Sequence, residues 1–254
     1  MRLLRATLPD RPAVDAALGP ALLERVRADA RAHADAHADA DAEPILHVSR
    51  PAPTVGFGRL DRIRPGFGAA VAAARAHGFE PIVRAPGGHA AAYHFGSVVL
   101  EVVGADPEPV AGLRRRFAWA AEALAAALRA VGADARIGPV HGEYCSGEYT
   151  VNGGGTVKLA GVAQRLRRDG WMVGAEIVVE DAAPVRRVLT DVYAALELEF
   201  DPATAAAVED LVPGTTVDAV ERAVVEAFGV TSRLALDPAL VREAEAIAAS
   251  AAPG

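Results

Sequence analysis

Apolar residues recur at helical spacing from residue 12 to about 40, at Ala13, Ala17, Leu22, Leu23 and Val26, and predict one long amphipathic helix. A second strong helix is predicted over 113–131, with Phe117, Ala120, Leu124, Ala127 and Leu128 on one face. Shorter helices are predicted over 68–77, 184–196, 217–228 (behind a Thr215 or Thr216 cap) and 238–249. Between them lie short apolar runs at 45–48, 81–84, 90–93 and 98–103, the last rich in β-branched residues, which read as strands. Residues 156–168 and 171–179 read as a hairpin joined at Asp169-Gly170, a strong two-residue turn signal. Residues 51–59 and 138–155 are punctuated by Gly and Pro and read as loops. Helices separated by runs of strands, with an antiparallel hairpin, argue for an α+β or mixed α/β fold. Nothing forces a cut, so residues 1–254 are expected to form a single domain with a helical C-terminal tail from about 202.

Composition sharpens this picture in one respect. The chain holds 58 Ala and 25 Arg but a single Lys, Lys158, and a single Cys, Cys145. A sequence that uses Arg for generic positive charge and keeps one Lys has a reason to need a compact ammonium there. One Cys excludes an internal disulfide and a multi-thiolate zinc site, leaving Cys145 as a buried small hydrophobe or a nucleophile. The net charge of −7 argues against nucleic acid or an anionic membrane as the main partner. No run approaches the roughly 20 apolar residues of a bilayer span, and the start, Met1-Arg2-Leu3-Leu4-Arg5, lacks the roughly 7–15-residue apolar stretch of a secretory signal; a cytoplasmic protein is expected. In the Ala-His-Asp tract at 32–41, His33 and His37 lie one helical turn apart. Without a third ligand they read as a solvated helix end, and no metal site is expected.

Four stretches carry candidate chemistry: Val55-Gly56-Phe57-Gly58-Arg59, Arg84-Ala85-Pro86-Gly87-Gly88-His89, Gly142-Glu143-Tyr144-Cys145-Ser146-Gly147-Glu148-Tyr149, and Lys158-Leu159-Ala160-Gly161-Val162-Ala163-Gln164-Arg165. Gly87-Gly88 lets the backbone approach a ligand and aim N–H groups at an oxygen, or simply makes a tight turn. Neither glycine stretch fits a P-loop or a dinucleotide fingerprint. Cys145 sits among glycines and Ser146 in a loop, which favours a reachable thiol, with His141, His89, His94 or Lys158 as candidate activators. Lys158 lies on a strand whose neighbours Ala160, Gly161 and Ala163 leave room for a ligand beside the ammonium.

Taken in order, these stretches resemble the lipoate–protein ligase and octanoyltransferase family over roughly residues 44–230. Arg84 to Ala90 is similar to its Arg-x-x-Gly-Gly acyl-pocket motif. Lys158 to Arg165 is similar to its Lys-x-Ala/Ser-Gly-x-Ala/Ser-Gln-Arg strand. The run around Cys145, ahead of the Lys strand, resembles the amidotransferase branch, in which a cysteine carries the acyl group. The resemblance implies an α+β fold with mixed, largely antiparallel sheets flanked by helices in a biotin/lipoate ligase-like catalytic domain, Cys145 and Lys158 as catalytic residues, and Arg84, Gly87, Gly88, His89, Gly161 and Gln164 around the substrate. It further implies octanoyl or lipoyl transfer from glycine-cleavage H protein to the lipoyl domains of 2-oxoacid dehydrogenase complexes, without a cofactor. Octanoyl-acyl carrier protein as donor, ATP- and Mg-dependent lipoate ligation, and a degenerate module that only binds lipoyl proteins are the alternatives. The chain departs from the family where Ala85 replaces a second Arg and where Ser97-Val98-Val99-Leu100-Glu101 replaces a Leu-Asn-x-Ser strand. In the expected mechanism Lys158 and the N–H groups of Gly87-Gly88 hold the oxyanion, and His89 or His141 supplies a proton.

Overall fold

A computed structural model describes residues 1–35 and 43–251. Eight strands form the main sheet: β1 (Arg2–Arg5), β2 (Ile45–Ser49), β6 (Ser97–Ala105), β7 (Ala135–Ile137), β8 (Val151–Gly153), β9 (Val157–Arg167), β10 (Gly170–Val178) and β11 (Ser232–Leu234), in the order β11-β1-β2-β6-β10-β9-β8-β7. All pairings from β2 to β7 are antiparallel, while β1 runs parallel to both neighbours. A smaller sheet is built from β3 (Thr54–Phe57), with β4 (Glu80–Val83) parallel on one side and β5 (Ala91–Tyr93) antiparallel on the other. The expected α+β class, with mixed and largely antiparallel sheets, is the one observed.

Helices cover both sheets because each presents one apolar stripe. On one face of the main sheet, α4 (Leu113–Ala130) and α7 (Val217–Ala227) bury Leu124, Leu128, Val220 and Val224 against Leu100, Val173 and Ile177. The other face is covered by α2 (Leu18–Asp35) and α8 (Pro238–Ser250), through Leu22, Leu23, Val26 and Leu240. The small sheet packs on α3 (Phe67–Ala76) and α5 (Ala182–Ala195), with Phe57, Val71 and Leu189 in its core. No helix among the described residues is long and apolar enough to cross a membrane.

Several elements differ from the periodicity reading. The long first helix is two, α1 (Pro12–Asp15) and α2, broken at Ala16 and Ala17. Pro20 is tolerated in the first turn of α2, where its missing N–H costs nothing. His37 and the side chain of His33 lie outside the described residues. The stretch read as a loop at 51–59 contains β3, all four residues of which are buried, so no polar alternation marks it. Strands β1, β7, β8 and β11 have only three or four residues each and take their stability from distant partners, not from local pattern. The hairpin turns at Arg168-Asp169, one residue earlier than expected. Gly170 belongs to β10, paired with Ala105 and Arg167, and Arg27 packs over it, leaving no room for a Cβ.

Candidate active site

The loop between β7 and β8 presents Cys145 with a φ of +44°, in the left-handed region that a non-glycine residue enters at a cost of order 1–3 kcal/mol. Three side chains fix it there. The Tyr193 hydroxyl, from α5, accepts the Cys145 N–H at 2.6 Å and donates to the Ala90 carbonyl at 2.9 Å. The Lys158 ammonium, from β9, donates to the carbonyls of Tyr144 at 2.8 Å and Cys145 at 2.9 Å. Glu143, wholly buried, faces Lys158 at 3.5 Å and accepts from Val140 N–H, Ser146 Oγ and Thr150 Oγ1. The Lys158 side chain is 1% exposed, lies over the Tyr144 ring, and spends its donors on the loop that carries the cysteine.

The glycine turn after β4 meets this loop from the other side. Arg84 Nη2 lies 3.2 Å from Cys145 Sγ and donates to the His89 carbonyl at 2.8 Å, while the His89 backbone N–H points at Sγ from 3.3 Å. Gly88 has a φ of +94°, and a Cβ there would stand 2.6 Å from Sγ, so only glycine fits. Gly87 donates its N–H to the Gln164 carbonyl at 3.3 Å, which ties the turn to β9. The Gln164 side chain points away, donating to Leu113 O and accepting from Arg116. The His89 ring turns to Asp61, Nδ1 to Oδ1 2.6 Å, and Asp61 Oδ2 accepts the Gly58 N–H. His141 is exposed, and His94 is engaged with Asp181 O and Gly96 N–H in a turn. Burial works against the Arg84 charge, but Cys145 and Glu176 favour it, and its pKa is raised overall.

Cys145 opens into a cavity of about 330 Å³ whose walls include Arg84, Gly88, Tyr149, Gly161, Gln164 and Glu176. Phe117 stacks on Tyr149 at one side, ring centroids 5.1 Å apart. Gly161 is required: a Cβ there would stand 2.7 Å from Glu176 Oε1 and 3.2 Å from Lys158 Nζ. Arg84 and Glu176 also wall a second, smaller space, a throat of about 50 Å³ bounded by Asp15, Ser49, Thr54, Tyr93 and Glu101. A larger cleft of about 600 Å³ lies beyond Ala85 and does not reach the cysteine, so the smaller cavity is the one with chemistry in it. All eight sequence-derived site residues fall around these two facing loops and the β9 strand. Glu176, Tyr193 and Asp61 were not foreseen; Glu143 stands in the stretch read around Cys145, but its place beside Lys158 was not. Of the three, only the carboxylate of Glu176, set in an otherwise apolar strand, left a mark in the sequence.

The architecture of two facing loops over a mixed sheet has a known counterpart. Residues 25–229 match the lipoyl protein ligase A/B catalytic domain, and the chain belongs to that family. Within it, the chain is 31% identical over 153 residues to the octanoyl-[GcvH]:protein N-octanoyltransferase of Exiguobacterium sibiricum, covering 56% of this chain and 52% of the relative. It is 28% identical over 136 residues to the enzyme of the same name from Geobacillus kaustophilus, covering 54% and 48% respectively. The chain thus spans about half the length of the curated relatives it matches. Among solved structures, lipoate-protein ligase A bound with ATP superposes with a TM-score of 0.72 at 19% identity, covering 98% of this chain and 94% of that one. A bi-partite lipoate protein ligase from Thermoplasma acidophilum gives 0.67 at 19%, covering 98% and 91%. These likenesses establish the lipoate-ligase fold.

Proposed function

We propose that the protein is a cytoplasmic acyltransferase that moves an octanoyl or lipoyl group onto the lysine of lipoyl domains through a thioester on Cys145. The names of the curated relatives support octanoylated glycine-cleavage H protein as the donor. The observation that carries the reading is a cysteine held in the left-handed region with two donors, Arg84 Nη2 and His89 N–H, converging on its sulfur. In the proposed reaction the Cys145 thiolate attacks the acyl carbonyl and the new oxyanion is held by donors already in place. Arg84 and the His89 N–H are best placed for that work. Lys158 acts one step removed, as a positioning residue that holds the Cys145 loop by its carbonyls, and Gly87, whose N–H is spent on the Gln164 carbonyl, provides close approach and not a donor. The acyl tail leaves water for the cavity bounded by Phe117 and Tyr149, each buried CH₂ contributing about 0.8 kcal/mol.

Neither ATP nor a metal enters this chemistry. The test is acyl transfer from octanoylated H protein to a lipoyl domain in ATP-free buffer, by wild type and Cys145→Ser. Transfer by the wild type alone supports the proposal. Strict ATP dependence with full activity in Cys145→Ser overturns it in favour of ligation, and lipoyl-domain binding without turnover points to a binding module.

A further inference from the structure

Glu176 stands in the wall between the Cys145 cavity and the throat behind it. It lies on β10 directly opposite Gly161 of β9, and the missing side chain there gives its carboxylate the space beside Lys158 Nζ. The residue is 9% exposed, yet among the described residues its carboxylate takes a hydrogen bond only from its own backbone N–H. Buried carboxylates normally find partners, so this one has unspent capacity. The cations that face it are committed elsewhere: Lys158 to the carbonyls of Tyr144 and Cys145, Arg84 to the His89 carbonyl and Sγ. Glu143 faces it from the cysteine loop, and Glu101, Asp15 and Tyr93 line the throat on its other side. The histidines expected to move a proton are turned away, His89 towards Asp61 and His141 into solvent, and neither lines the cavity.

We propose that Glu176 is the acid–base residue of the transfer, carrying one proton from the incoming to the departing lysine amine. The proposal rests on the thioester reading above and adds the step that reading lacks. An amide nitrogen cannot leave as an anion, so when the C–N bond of the tetrahedral adduct breaks, the Glu176 carboxyl gives its proton to that nitrogen. The products are the Cys145 thioester, a neutral donor lysine and the Glu176 carboxylate. The neutral amine of the acceptor lysine then attacks the thioester. Its N–H proton passes to Glu176 as the C–S bond breaks, leaving the new amide, the Cys145 thiolate and a protonated Glu176. Protons and electrons balance over the cycle, and no further reactant is needed. Burial pushes the Glu176 pKa up, while Lys158 and Arg84 draw it part of the way back, which suits a group that must hold and release a proton.

The experiment exploits the leaving group. Single-turnover acylation of Cys145 is followed by intact mass from two donors, the octanoyl-lysine amide of H protein and an octanoyl-pantetheine thioester, whose thiolate leaves without a proton. For Glu176→Gln the account expects acylation from the amide to fall about 10²–10⁴-fold, acylation from the thioester to be unchanged, and Glu176→Asp to recover part of the loss. The amide reaction of the wild type should weaken as pH rises and deprotonates Glu176, and that dependence should vanish in Glu176→Gln. Equal loss with both donors, or no loss with the amide, overturns the role of Glu176 while leaving the thioester intact. Acylation of the wild type by neither donor overturns the thioester reading and this role with it.

Discussion

Two of the charge clusters buried among the described residues are spent differently. In the first, His47 lies between β1 and β6, with Nδ1 3.2 Å from Glu101 and Nε2 3.1 Å from the Ala6 carbonyl. Asp15 beside it accepts the Leu8 N–H at 2.6 Å. Both ring nitrogens face acceptors, so the geometry calls for a doubly protonated ring. Burial opposes the charge, but Glu101 and Asp15 outweigh it, and the His47 pKa is raised. Both ring nitrogens are thus spent within the fold. In the second, Lys158 and Glu143 close on the backbone of the cysteine loop, but Arg84, the His89 N–H and Glu176 are left facing Sγ and the cavity. Hydrogen-bonding capacity not spent on the fold marks the place where a substrate would spend it.

Breaking each cluster at its cation tests the contrast. Lys158→Met should cost about 3–5 kcal/mol of stability, since it strands the buried Glu143 carboxylate, and Glu143→Gln in the same chain should return part of it; urea unfolding measures both. A loss no larger than that of a surface substitution would mean that Lys158 does not hold the loop. Next in size is Tyr193→Phe, which removes the hydroxyl between Cys145 N–H and Ala90 O. The expected loss is about 1–3 kcal/mol, together with slower Cys145 acylation, because the strained cysteine loses its anchor.

The His47 cluster should respond to pH instead of substrate. A raised folded-state pKa contributes stability that is complete below the unfolded value of about 6.5 and lost as pH rises through the folded value. Asp15, raised by burial, acts in the same sense from its own lower starting point. Urea unfolding should therefore show stability declining above about pH 6.5 by at most about 1.4 kcal/mol per pH unit from His47. His47→Gln should flatten that slope without changing the acyl-transfer rate ratio between donors. A slope that persists in His47→Gln assigns it to another group. The smallest effect is expected at the cavity rim. Tyr149→Ala loses the stack on Phe117, about 0.5–1.5 kcal/mol, and should raise KM for the octanoyl donor by no more than about 2–13-fold while kcat holds.

Much of this was legible in the chain. The long hairpin of β9 and β10, the amphipathic α4 and the Gly87-Gly88 turn are set by residues close in sequence, and the lone Cys and Lys stand out against an Ala- and Arg-rich background. Less legible were the strands whose partners are remote: β11 pairs with β1, more than 220 residues away, through Ser-Arg-Leu, a run with no strand pattern of its own. The same distance hid half the site. Tyr193 comes from a helix and Asp61 from a short turn, and nothing local links either to Cys145. The orientation of Lys158 was hidden for a different reason. A strand position says which face a side chain takes, but the carbonyls of a tightly turned loop, which only the fold brings near, decide what its ammonium touches.

A thioester on Cys145 is a covalent adduct that intact mass detects. Wild-type protein mixed with octanoylated H protein in ATP-free buffer, quenched in acid and analysed intact and after digestion, should carry one octanoyl group on the peptide containing Cys145. Hydroxylamine should remove it, and Cys145→Ser should show none. An octanoyl group on any other residue, or its appearance only with ATP, would contradict the account.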